Sequence, residues 1–367
     1  MLGNRKSNAI NNATPLIAAV SRVLFCRHAL VFLVVGVMAG CAAMGAREAP
    51  PAIYWPPAPE KARLVYEATL RSVDTVTGRP TATDRLQSLA TGDASGDQPG
   101  MDKPYDVAAR NGLVVVSDTR AALVYVYDLA RGRVFPIGWR GEGKLVRPSG
   151  VAIDEHDRIY VADAGRNVVV VYDGFGLFLK TVGVPAEFDR LVDVAVSPDG
   201  ERVYALDRGD LATTSHQVRL YDASGVLLKT FGGRGTEVGK LNNPAQLAVA
   251  SSGEVYVLDA GNFRIQIFSA NGDFVRMWGR AGQVLGDFAR PRGLAVDQQG
   301  RVYVTDAAFQ NVQLFDGDGR LLLTLGEVGP DGPGKFALPG GVAVDTKGHV
   351  FIVDQLFRKV EVWRMLE

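Results

Sequence analysis

Six aspartates recur through the second two thirds of the chain, and six carboxylates brought together could hold a cation. They are Asp118, Asp163, Asp207, Asp259, Asp306 and Asp354, at intervals of 45, 44, 52, 47 and 48 residues. Each closes a short apolar run: VVVSD, YVAD, YALD, YVLD, YVTD and FIVD. An aspartate at such a place also has a plainer use, accepting backbone N–H bonds in the turn that follows. A residue repeated in every unit serves the unit, so the six are read as turn caps. Zinc chemistry would need convergent histidines. His28 falls in the N-terminal segment, His156 and His349 in turns between the first and second strands of their units, and His216 in an insertion of the third unit; they do not converge, and no metal or cofactor is expected. Cys26 and Cys41 are the only cysteines. No grouping of nucleophile, base and orienting residue stands out.

The remaining candidates are cations and polar residues that break the repeat. A second signal precedes each apolar run: Pro104-Tyr105-Asp106-Val107, Pro148-Ser149-Gly150-Val151, Leu191-Val192-Asp193-Val194, Pro244-Ala245-Gln246-Leu247, Pro291-Arg292-Gly293-Leu294 and Pro339-Gly340-Gly341-Val342. At its third position Asp106, Asp193 and Gln246 stand where the other units have glycine. Tyr105, Arg147, Arg290 and Arg292 lie close by, and Arg140, Arg234 and Arg280 sit beside glycines in the preceding loops. Guanidinium forks suit carboxylates and phosphates. The candidate ligand-binding residues are therefore Tyr105, Asp106, Arg147, Asp193, Gln246, Arg290 and Arg292.

These residues are positioned by short strands. A third marker follows each aspartate, an alternating segment ending in Tyr127, Tyr172, Tyr221, Phe268, Phe315 or Trp363. Three markers hold order in six consecutive units. The fourth unit shows the strands: LAVA, a turn at Ser251–Gly253, EVYVLD, a turn at Ala260–Asn262, RIQIFS, an Asn271-Gly272 hairpin turn and DFVRMWG. Four strands in a unit of this length make one propeller blade. The expected fold is all-β, a six-bladed β-propeller with four antiparallel strands per blade. The sixth unit lacks its last strand, and RLVYEATL at residues 63–70 is the segment expected to complete it and close the ring.

The pattern P-x-G-V-A-V-D, a turn, then V-Y-V-x-D-x-x-N-x-R-[VI]-x-[VI]-[FY] resembles the NHL repeat, and Pro148–Tyr172 and Pro291–Phe315 carry it best. The resemblance covers about residues 101–367. Among propellers of this kind it implies either a binding scaffold or a metal-dependent enzyme. Amidating lyases hold zinc with channel histidines, which this chain does not gather. Lactonase-like propellers place acids and Asn at positions that hold Tyr105, Ser149, Val192, Ala245, Arg292 and Gly340 here. The reading therefore expects a non-catalytic binding or interaction scaffold. The alternative is a metal-dependent lyase or hydrolase, amidating-lyase-like or lactonase-like.

The N-terminus resembles a bacterial lipoprotein signal. Basic residues end at Arg27, the apolar run ALVFLVVGVM follows, and Met38-Ala39-Gly40-Cys41 stands in place of a lipobox. Ten apolar residues are too few to span a bilayer, which takes about 20. The resemblance implies lipidation at Cys41, and Ala42 after it implies the outer membrane, facing the periplasm. The expected organisation is a signal peptide at 1–40, the lipidated Cys41 with a Pro-rich spacer at 41–60, the closing strand at 61–70, a loop at 71–103 with a short helix near Asp84–Leu89, and the propeller at 104–367. Trp55 is expected to pack on the ring. Without residues 1–40, 36 basic side chains face 40 acidic ones, a charge of −4. Export and this charge argue against nucleic acid as a partner. The expected partners are a protein, peptide or glycan of the cell envelope, and the membrane through the lipid.

Overall fold

Residues 52–72, 100–210 and 213–366 are described by a computed structural model. The signal segment, Cys41 and the helix near Asp84–Leu89 lie outside the described residues.

The six units fold as six antiparallel sheets. The first is β3 (Pro104–Arg110), β4 (Leu113–Asp118), β5 (Leu123–Asp128) and β6 (Arg133–Ile137). The second is β7 (Pro148–Ile153), β8 (Ile159–Asp163), β9 (Val168–Tyr172) and β10 (Phe178–Val182). The third is β11 (Leu191–Val196), β12 (Arg202–Asp207), β13 (Gln217–Asp222) and β14 (Leu227–Gly232). β15 (Gln246–Val249), β16 (Val255–Asp259), β17 (Arg264–Phe268) and β18 (Phe274–Trp278) make the fourth, and β19 (Pro291–Val296), β20 (Val302–Asp306), β21 (Asn311–Phe315) and β22 (Leu321–Leu325) the fifth. In each sheet the strands lie in chain order. The innermost strands adjoin one another around the ring, and that of the last blade, β23 (Pro339–Val344), adjoins β3.

The sixth blade closes as its sequence requires. Its own strands are β23, β24 (His349–Asp354) and β25 (Lys359–Met365); β2 (Leu64–Leu70) adds to β25 from Leu64↔Met365 to Leu70↔Val360. A fifth, two-residue strand, β1 (Tyr54–Trp55), pairs outside β2. The sequence places these two residues in a spacer and not in a strand; as expected, Trp55 packs on the ring, edge-on to Trp363 at 6.4 Å, and donates to the Thr324 carbonyl at 2.5 Å. Behind this seam the Lys359 ammonium and Glu361 carboxylate are both fully buried 2.5 Å apart, and Glu361 also takes the Trp363 indole N–H at 2.9 Å.

The core lies between blades. The six third-strand aromatics Tyr127, Tyr172, Tyr221, Phe268, Phe315 and Trp363 are all buried there, wedged among Val, Ile and Leu of the second and third strands. Five of the six repeated aspartates are turn caps, and they do more than cap; the sixth, Asp259, takes the incoming Asn242 N–H but otherwise the side chains of Asn262, Arg264 and Gln266. Asp163 accepts Gly165 N–H in its own turn and Val146 and Arg147 N–H from the incoming loop. Asp118, Asp207, Asp306 and Asp354 repeat the arrangement. Each carboxylate thus staples the start of the first strand to the end of the second, on one face of the ring. We call that the upper face.

Candidate functional site

The centre of the upper face is built in three layers, each from one column of the repeat. The deepest is a neck made by the third residue of the strand-one signal. Asp106 Oδ2 accepts Val151 N–H of the next blade at 3.0 Å, Asp193 Oδ2 accepts Leu247 N–H at 2.6 Å, and Gln246 Oε1 accepts Leu294 N–H at 2.7 Å. Gln246 Nε2 also donates to Asp106 Oδ1 at 2.6 Å across the ring. Three blades thus each reach over to the following inner strand. Glycine in two of the other three blades makes room for this. A Cβ on Gly150 would stand 1.7 Å from Asp193 Oδ1, and one on Gly341 2.0 Å from Asp106 Oδ1.

Burial raises Asp106 from the usual carboxylate range to about 7. Burial also raises Asp193 well above that range, and the charge of Asp106 adds to the effect. Two carboxyls in low dielectric resist carrying two charges together. Below the neck the channel is lined by Val, Ala, Leu and Ile of the six inner strands around a cavity of about 150 Å³.

Above the neck stand Tyr105 and Arg292. Arg292 is largely enclosed and donates to Gln355 Oε1 at 3.0 Å. Burial lowers its pKa below the ordinary guanidinium value, and the neighbouring charges of Arg290 and Arg208 push the same way. The outermost layer is the residue before the signal: Lys103, Arg147, Arg190 and Arg290 in four of six blades, all exposed. Two hollows of about 400 and 430 Å³ flank the centre and meet at Tyr105 and Arg208. Lys103, Arg120, Arg147 and Arg190 line the first, Arg290 and Arg292 the second, and no acidic side chain lines either.

The structure thus sorts the sequence candidates. Tyr105, Arg147, Arg290 and Arg292 share one mouth. Asp106, Asp193 and Gln246 form its floor, with their side chains engaged between blades. Arg140, Arg234 and Arg280 are absent from the mouth lining: Arg140 lies over the Trp139 ring at 4.2 Å and Arg280 pairs with Asp287 at 2.6 Å. Sequence reading passed over Lys103, Arg190 and Arg208. The first two occupy the column of Arg147 and Arg290, and aligning the six units in register exposes them.

His216 and His349 have separate local partners. His216 Nδ1 accepts Asn243 N–H at 3.1 Å, and His349 Nδ1 lies 2.8 Å from Asp345 Oδ2. Among the described residues no three His, Cys, Asp or Glu side chains are grouped to hold a metal ion, and no helix is long and apolar enough to cross a membrane.

A closed six-bladed ring with this repeat defines a class, and comparison agrees. The NHL repeat family matches residues 145–172, 241–268 and 288–313, in the second, fourth and fifth blades. The chain is a six-bladed β-propeller that carries NHL repeats in these three blades. It is 29% identical over 148 residues to NHL repeat-containing protein 3 of Mus musculus, a match covering 34% of this chain and 42% of that protein. The match therefore spans less than half the length of that relative. Among solved structures, a gluconolactonase from Xanthomonas campestris superposes with a TM-score of 0.53 at 18% identity, covering 88% of this chain and 99% of the other. A virginiamycin B lyase from Staphylococcus aureus gives 0.53 at 10% identity, covering 72% and 96%. At such identities the likeness is one of fold.

Proposed function

We propose that this protein is a binding scaffold of the cell envelope, held to a membrane through a lipid on Cys41, and that the upper-face mouth receives its partner. The observation that carries the reading is the column of four exposed cations, Lys103, Arg147, Arg190 and Arg290, around a mouth whose lining holds no acid. Cations placed in register on a rigid ring repel one another, and an anionic group between them relieves that repulsion. The body of the chain carries a net −4, so the mouth is positive against the overall balance. Loops on rigid scaffolds are where binding concentrates. The closed neck favours a ligand seated on the ring over one threaded through it. The partner is a protein, peptide or glycan of the envelope, and nucleic acid is disfavoured by export.

The enzyme alternative draws on the fold shared with the gluconolactonase and the lyase, and fold alone does not carry function. The test replaces Arg147, Arg190 and Arg290 with Ala. Retention of partners from envelope extracts should fall at least tenfold with an unchanged melting temperature. Arg292 is left in place because its hydrogen bond to Gln355 ties two blades. Unchanged retention would remove the reading. In the same cells Cys41→Ser should move the protein from the membrane to the soluble fraction, and persistence in the membrane would remove the anchor.

A further inference from the structure

The mouth has a shape as well as a charge, and the two together select among anions. Its two hollows lie on opposite sides of Tyr105 and Arg208, so a ligand filling both must pass over that waist. Each is large enough for a small ligand on its own, since ordinary pockets run from roughly 300 Å³ upward. Cations occur in both, and each also presents apolar side chains: Ala164 and Val192 in one, beside Thr119 and Ser149, and Ala260, Phe263 and Pro291 in the other, beside Asn243. A uniformly hydrophilic polyanion would leave those surfaces unused. Arg292 marks the deep end. Arg292 lines both the second hollow and the neck beneath it, so a carboxylate reaching down that hollow meets its guanidinium.

We infer that the mouth binds an extended peptide segment in which acidic and apolar side chains alternate, with one carboxylate on Arg292 and others on the exposed cations of both hollows. This rests on the proposed binding role of the mouth and narrows it to a ligand class. Carboxylates meet the guanidinium forks in two-pronged pairs, while the side chains between them cover the alanines and Phe263. A charge-bearing segment of this kind binds more weakly as salt rises, because the exposed cations are screened within about 8 Å at physiological ionic strength.

The test uses the full chain and a fluorescent Glu-Leu-Glu-Leu-Glu-Leu peptide read by anisotropy. The Gln-for-Glu peptide, hexaglutamate and a ribo-oligonucleotide of equal charge serve as comparisons. The alternating peptide should bind at least tenfold more tightly than the Gln peptide and severalfold more tightly than hexaglutamate. Arg190→Ala in one hollow and Arg290→Ala in the other should each weaken it about tenfold, the scale of one charge-assisted contact. Equal binding of the Gln peptide, tighter binding of the oligonucleotide, or sensitivity to only one of the two arginines would overturn the inference. If these fail while envelope partners are still lost from the triple-Ala variant, the ligand class is wrong and the docking role stands.

Discussion

At the scale of single residues, the neck carries a pH dependence whose sign is fixed by burial. Asp106 is raised to about 7 and Asp193 well above its usual range. In the unfolded chain both titrate near 4, roughly the model-peptide value. Between those limits the folded protein keeps protons that the unfolded chain has released. The stability linked to Asp106 is therefore full below about pH 4 and is lost as the pH rises through about 7, and Asp193 acts in the same direction. For Asp106 it is on the order of a few kcal/mol. The urea midpoint should be lower at pH 8 than at pH 5, and Asp193→Asn should narrow the gap. A native profile flat between those pH values would show that the neck is hydrated and not sealed. The roles of these residues were half legible. Asp106, Asp193 and Gln246 declared themselves by replacing glycine, but periodicity says nothing of direction. Only the fold shows that they reach sideways to the next blade's backbone. The same limit hid Gln355, an ordinary residue after a capping aspartate until Arg292 is seen against it.

At the scale of elements, the ring depends on a strand taken from the other end of the chain. Leu64, Val65 and Leu70 of β2 are buried, and burying an apolar side chain of this size contributes about 1.5–3 kcal/mol. Removing the strand also uncovers the backbone edge of β25 and the seam over the buried Lys359–Glu361 pair. Deleting residues 61–70 should therefore cost roughly 5 kcal/mol or more and lower the melting temperature of the whole ring. A truncated protein that melts like the full chain would contradict the closure. This pairing was legible because a blade one strand short and an unpartnered β-patterned segment imply each other. The Tyr54–Trp55 strand was not. Two residues between prolines carry no strand periodicity, and their order comes from Trp55 packing on Trp363 and reaching the Thr324 carbonyl. The loops before each inner strand were legible as loops, yet their fixed shape depends on distant carboxylates such as Asp163 and Asp306, which hold their N–H groups.

At the scale of the whole molecule, symmetry is what turns scattered loop residues into a site. Lys103, Arg147, Arg190 and Arg290 are far apart in sequence, and each alone is an ordinary exposed cation. Six-fold repetition brings their column to one rim, over a floor closed by hydrogen bonds between blades. The same repetition explains why the six aspartates are structural: each ties the incoming loop to the end of the second strand in its own blade. The central claim is that partners dock at this rim. The most direct measurement is photo-crosslinking in intact cells, with a benzophenone side chain placed at Val146 beside the mouth or at Gln299 on the opposite face. The account predicts a discrete adduct from Val146 that disappears when Arg190 and Arg290 are changed to Glu, and none from Gln299. An adduct from Val146 that survives the charge reversal, or one that forms only from Gln299, would contradict it.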